Sequence, residues 1–243
     1  MQTKIAKIGF EIEAEWSDQA KAIFDGYGEI KGDGSIHRCQ SYNGENTDHH
    51  KCTLEALEFA SNPLEFNPAL LDELKKKFER LQKHYDAGRY HFNKSMGMHI
   101  HLSFNNEHPP ELISPKFVAY FKKAIQRELP SVFEARQHNN YCKFRIPASE
   151  LLQGNRHDRY RFINIWPAMS RHNTIEIRAY PSEQPMEMYR YLRFTFKTIN
   201  EFIAKGQKIK TKCELTEPTA YNREWNDEQA EYEKPELNIT FEL

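Results

Sequence analysis

Apolar and polar positions alternate from Ile5 to Glu15, with Ile8, Phe10, Ile12 and Ala14 on one side and Glu11, Glu13 and Glu15 on the other. A period of two predicts a strand, here one whose second face is built of carboxylates. Ser17 is placed to cap a short helix through Phe24, and the glycine-punctuated GYGEIKGDGSI predicts turns around a short strand. Residues 53–60, TLEALEFA, predict a further strand with Leu57 and Phe59 opposite Glu58. Asn67 followed by Pro68 is a cap and first-turn pair. The helix it opens has Leu70, Leu71, Leu74, Phe78, Leu81 and Tyr85 on one side and Gly88 at its end.

The segment MGMHIHLSF repeats the strand design, Met98, Ile100, Leu102 and Phe104 alternating with His99, His101 and Ser103. Ser114-Pro115 opens a second long helix with Phe117, Val118, Phe121 and Ile125 inward, and residues 130–158 read as a polar loop fit to collar a substrate. RYRFINIW leads to a fourth strand, TIEIRAY, where Ile175, Ile177 and Ala179 alternate with Glu176 and Arg178. A third long helix spans about 186–205 and is expected to close at Gly206. A polar tail follows, ending in the strand-like LNITFEL. The domain reading is therefore 1–205 for one folded domain and 206–243 for a polar extension.

Composition narrows the classes. With 34 Lys plus Arg against 35 Asp plus Glu the net charge is -1, so the overall field favours neither nucleic acid nor an anionic membrane. No apolar run approaches the ~20 residues that cross a bilayer. The four cysteines are few and scattered, and the N-terminus lacks an apolar signal core, so a reducing cytoplasm is expected.

If the four strands share one sheet, then Glu11, Glu13, Glu58, His99, His101, Glu176 and Arg178 line one surface. Carboxylates that close repel by about 3 kcal/mol per pair at ~5 Å and an effective dielectric of ~20, unless a cation intervenes. Oxygen-rich sites prefer hard ions, and Mg²⁺ commonly completes its octahedron with phosphate, which gives nearby arginines a role. Solvation alone accounts for Glu15, Glu55 and Ser103.

GMHIHLS resembles the GMHxHxS segment of glutamine synthetases, TIEIRAYPS their RIEVRFPD segment, and GFEIEAE their GxExE strand. The order and spacing, with DGSI and LEFASNPL between, are most similar to the stand-alone amidoligases, compact relatives of the synthetases, over residues 8 to about 203. The resemblance implies an α+β domain with a curved, mainly antiparallel sheet, the active site on its concave face and helices on the other. It implies a metal set of Glu11, Glu13, Glu58, His99 and Glu176, holding two or more Mg²⁺ ions, with Mn²⁺ as a substitute. His101, Arg161 and Arg178 become contacts to ATP phosphates and the transferring group, Asn164 matches an RxxN pattern, and Asp33 and Ser35 match a DxS element at the substrate rim. The implied activity is ATP-dependent joining of a small-molecule or peptide carboxylate to an amine through an acyl phosphate. The synthetases' N-terminal β-grasp domain is absent from this sequence, which argues against ammonia and free glutamate as substrates.

Two other readings stay open. His99-x-His101 followed by Glu107 suits a cupin-like iron oxygenase, though it leaves Glu11, Glu13 and Glu176 without work. A non-catalytic binding protein on the same fold would grip a phosphorylated or nucleic-acid ligand through the basic run Arg156–Arg161; for the ligase, nucleic acid is not the expected partner, and a modified base stays open as a substrate. His37, Cys39, His49, His50 and Cys52 fit a zinc site only loosely and are expected to be metal-free.

Overall fold

The computed structural model describes residues 5–34, 36, 54–104, 112, 114–138, 142–144, 161–164 and 174–214. Met1–Gln207 forms one compact unit and Lys208–Leu243 another; the site lies within the first. Among the described residues the order is β1 (Ile5–Trp16), α1 (Asp18–Lys21) with a 3₁₀ turn at Ala22–Phe24, β2 (Gly28–Lys31), β3 (Glu55–Ser61), β4 (Leu64–Glu65) and α2 (Pro68–Asp86). There follow β5 (Tyr90–His91), β6 (Gly97–Phe104), α3 (Pro115–Glu128), α4 (Pro130–Arg136), β7 (Ile163–Asn164), β8 (Ile175–Pro181) and α5 (Pro185–Glu214).

The fold is α+β. Its sheet has the order β2-β3-β1-β6-β8-β7, with β4 and β5 also on β1, and each pairing between these strands is antiparallel. The four strands picked out by their polar faces thus stand side by side as β3-β1-β6-β8. The strand faces carrying Phe10, Met98, Ile100 and Ile177 are buried in the core. Phe78 of α2 meets Phe10 at 5.9 Å, and Tyr191 of α5 stacks on Tyr180 at 4.8 Å, so helices pack on the apolar face. Burying such rings contributes about 1.5–3 kcal/mol each, which makes this face the anchor of the sheet.

Local chemistry sets the helix starts. Ser17, Asn67 and Ser114 each accept a backbone N–H from the first turn, those of Ala20, Leu70 and Phe117. Past the end of α2, Gly88 takes φ +68°, a backbone that favours glycine.

Three expectations need correction. Residues 130–136 form α4 rather than loop, because Pro130 opens a turn that buries Val132. Helix α5 runs through Gly206 to Glu214; a mid-helix glycine costs only about 1 kcal/mol, less than the burial of Met188, Tyr191, Leu192 and Ile199 on the same helix contributes. On β8 the period of two breaks, since Met98 pairs with Tyr180 but Ile100 with Ile177. Arg178 and Ala179 together stand opposite His99, a bulge after which Ala179 and Tyr180 are both buried in the core. LNITFEL lies outside the described residues.

Candidate active site

Cross-strand register assembles the site in rows. Lys31, Glu58 and Glu13 lie abreast on β2, β3 and β1; Glu11 lies opposite His99 on β6; His101, Glu176 and Asn164 lie abreast on β6, β8 and β7. All except Glu11, His101 and Lys31 are buried.

Two ligand trios result. Glu11, His101 and Glu176 offer one atom each within 4.8 Å of one another, and Glu13, Asp33 and Glu58 do the same. His99 joins the first, its Nδ1 standing 2.8 Å from Glu11 Oε2 and 3.9 Å from Glu176 Oε1. The five expected metal ligands therefore converge, but in two groups. Asp33, expected at the substrate rim, has a carboxylate oxygen within 4.8 Å of those of Glu13 and Glu58, and Ser35 lies outside the described residues.

The carboxylates are not left to repel one another. Arg178 Nη1 donates to Glu176 Oε1 at 2.6 Å and Asn164 Nδ2 donates to Glu176 Oε2 at 2.8 Å. Lys31 Nζ reaches Glu58 Oε1 at 3.0 Å, and the Gly97 amide donates to Glu13 Oε2 at 2.7 Å. Burial pushes the Glu11 carboxyl up, but the imidazoles of His101 and His99 reverse this and hold it well below the usual range. Glu176 is likewise lowered, because Arg178 and the two histidines outweigh its burial. Glu58 moves the other way, raised by burial and by Glu11 against the pull of Lys31. For His101, burial is overcome by Glu11 and Glu176, which raise it.

His101 Nε2 lies 3.3 Å from Glu11 Oε1 yet is not aligned with it, so this buried nitrogen has no hydrogen-bond partner. A buried ring nitrogen left without a hydrogen bond between two carboxylates fits a metal ligand better than a structural histidine. The second trio is all oxygen, the donor set of a hard divalent ion.

Beside the first trio a cavity of about 380 Å³ opens over Gly9, lined by Lys7, Glu11, Ser61, His101, Ser103 and Thr174. An added Cβ at Gly9 would come within 3.6 Å of both His101 Cβ and Ser61 Oγ, so the glycine leaves the floor of this cavity free. Ser103 thus borders a cavity rather than open solvent. Glu15, expected to be solvated, is buried at 4% exposure, whereas Glu55 is exposed and paired with Lys21.

Arg161 is buried at a bridge to Lys143, and Phe162 beside it stacks on Phe144 at 4.4 Å. Sequence reasoning did not single out Lys31, Gly9, Arg136 or Cys142. Lys31 carried a signal, since it alternates with Ile30 on a strand leading to Asp33; Arg136 carried none, being one arginine in a polar stretch. His37, Cys39, His49, His50, Cys52, Glu107, Arg156 and Arg159 lie outside the described residues, and no helix among those described is long and apolar enough to cross a membrane.

Residues 28–151, just over half of the 243-residue chain, match the family model described as "Putative amidoligase enzyme". That span includes Asp33, Glu58, His99, His101 and Arg136, while Glu11, Glu13 and Glu176 fall outside it. No curated protein matches the chain.

Proposed function

The chain belongs to the amidoligase family, and from that premise we propose that it joins a carboxylate to an amine at the expense of ATP, through an acyl phosphate. The observation that carries this reading is the pair of ligand trios side by side on one sheet face, one holding the orphan nitrogen of His101. Glu11, His99, His101 and Glu176 would hold one Mg²⁺ and Glu13, Asp33 and Glu58 a second, with Mn²⁺ as a substitute. Bound there, the ions would neutralise phosphate charge and polarise the phosphoryl group under transfer.

The chain's own residues do the rest. The cavity over Gly9 adjoins the first trio and has room for a nucleotide, whose phosphates would then point to His101 and Glu11. Arg178 has a buried Nε without a partner besides its bond to Glu176, so one edge of its fork is free for a phosphoryl oxygen. Asn164 holds Glu176 in place, which makes it a positioning residue in this scheme. Arg161, by the family resemblance, is a further phosphate contact. No side-chain nucleophile is required, because positioning and charge neutralisation carry phosphoryl transfer.

The same reading gives the sheet the curved form of glutamine-synthetase catalytic domains, with the trios on its concave face and the catalytic domain ending near residue 205. The free, buried Cys142 suits a reducing cytoplasm. The substrates are small-molecule or peptide acids and amines. The test is to incubate the protein with ATP, Mg²⁺ and pools of acids and amines, following ADP and phosphate and the product mass. Phosphate release that needs both an acid and an amine supports the ligase; a protein that binds neither Mn²⁺ nor ATP defeats it.

A further inference from the structure

On one side, strand β1 changes partners in mid-course. From Glu11 to Trp16 it pairs with β3, and at Lys7 and Ile8 it pairs with β4. The chain passes from β3 to β4 through Asn62 and Pro63, so Gly9 and Phe10 have no ladder partner on that side. Phe10 is buried, and an amide there needs an acceptor. Ser61, the last residue of β3, supplies it: the Phe10 N–H donates to Ser61 Oγ at 2.8 Å.

That bond uses only part of the hydroxyl. A serine oxygen accepts and also carries one hydrogen to donate. With the Phe10 N–H as its partner the oxygen acts as acceptor, and its own hydrogen has no acceptor among the described residues. Ser61 lines the cavity over Gly9, its Oγ 3.6 Å from where a Cβ on that glycine would stand. The cavity therefore meets an anchored hydroxyl donor at the place where its floor is bare backbone.

The charges along β1 define what this donor meets. The face toward the cavity runs Glu11, Gly9, Lys7, about 7 Å per step. Glu11 belongs to the first trio at the inner end, and Lys7 stands at the outer end, opposite Ser103 of β6. Lys7 Nζ lies 2.9 Å from Glu65 Oε1, but the two side chains are 48% and 72% exposed. So exposed a pair adds little stability, and its ammonium can turn to a ligand at little cost. A group lying over Gly9 has a neutral donor beside it and a cation beyond it, surroundings that suit an anion with oxygens along its length.

Resting on the ligase reading, we propose that Ser61 and Lys7 hold the phosphates of ATP that are not transferred. The tail lies over Gly9, Ser61 Oγ–H donates to one of its oxygens, and Lys7 Nζ serves the phosphate nearest the ribose. The terminal phosphate then falls at His101 and Glu11, and the nucleoside beyond Lys7. This tract recognises the polyphosphate rather than the base.

The probes are inorganic tripolyphosphate and β,γ-methylene-ATP, titrated calorimetrically with Mg²⁺ into the full chain, with thermal unfolding of each variant alongside. Ser61→Ala should weaken both about 10- to 100-fold, the range of a lost hydrogen bond to a charged acceptor. It also strands the Phe10 N–H, so its Tm falls as it would for a purely structural serine. Ser61→Asp separates the roles, because its carboxylate still accepts from Phe10 but donates nothing; it should melt above Ser61→Ala and bind both probes at least as weakly. Ser61→Thr keeps the hydroxyl and should bind both within about threefold of the parent. Lys7→Met should weaken both about tenfold with Tm unchanged. Should Ser61→Ala fold poorly, Ser61→Asp and Lys7→Met carry the test. Tripolyphosphate affinity unchanged in Ser61→Ala, Ser61→Asp or Lys7→Met overturns the proposal, as does a parent that binds the ATP analogue but not tripolyphosphate, since recognition then lies in the nucleoside. A parent that binds neither probe is a different result and overturns the ligase reading itself.

Discussion

Replacing Glu176 by glutamine removes one charge with almost no change of shape, and the surroundings decide the sign of its effect. If the site were a set of mutually repelling carboxylates, losing one would stabilise the metal-free protein. The structure argues the reverse. Glu176 is 5% exposed, accepts a 2.6 Å bond from Arg178 and a 2.8 Å bond from Asn164, and faces His99 at 3.9 Å. In Glu176→Gln the guanidinium of Arg178, whose side chain is 15% exposed, keeps its charge and loses its counter-ion. Removing one partner of a buried pair costs about 3–5 kcal/mol. The partial exposure of Arg178 and the relieved desolvation of Glu176 reduce this to about 2–4 kcal/mol. At about 2–4 °C per kcal/mol for a unit of this size, Tm should fall by about 5–15 °C. The assay is thermal and urea unfolding in EDTA, where metal affinity plays no part. A Glu176→Gln protein that melts at or above the parental temperature would refute the view that cations already neutralise the site.

The histidine makes metal-free stability depend on pH. Because Glu11 and Glu176 raise His101, its contribution is complete below its unfolded value near 6.5 and is lost as pH rises through the folded one. Glu11, held low, contributes above about 4.5 and loses this only in strong acid. In EDTA, Tm should therefore fall from pH 6 to pH 9, while Mn²⁺ affinity measured by electron paramagnetic resonance rises over the same range; a flat Tm and a flat affinity would contradict this. Gly9→Val should fill the floor of the cavity, weakening an ATP analogue at least about tenfold by calorimetry with Tm nearly unchanged, since its nearest neighbours would be at ordinary contact distance. Arg178→Ala should lower kcat by roughly 100-fold with little change in ATP affinity, and Arg178→Lys should recover only part. Parental turnover in Arg178→Ala would leave only its structural pair with Glu176.

Much of the fold was legible because alternation and capping are local. The carboxylate face of β1, the histidine face of β6 and the caps at Ser17, Asn67 and Ser114 follow from residues within a few positions of one another, and the structure has them as expected. The shared surface of Glu11, Glu13, Glu58, His99 and Glu176 was legible for the same reason, since matching polar faces on neighbouring strands must coincide. Grouping those residues was not. Register assigns Glu13 and Glu58 to one row and Glu11 to the row of His99, and no period within a strand encodes register. The bulge on β8, which sets two residues against His99, likewise depends on β6 beside it. Arg136 is the extreme case. In sequence it is one arginine in a polar stretch, and only the packing of α4 brings its guanidinium over Gly97, where a missing side chain on one element makes room for a charge from another.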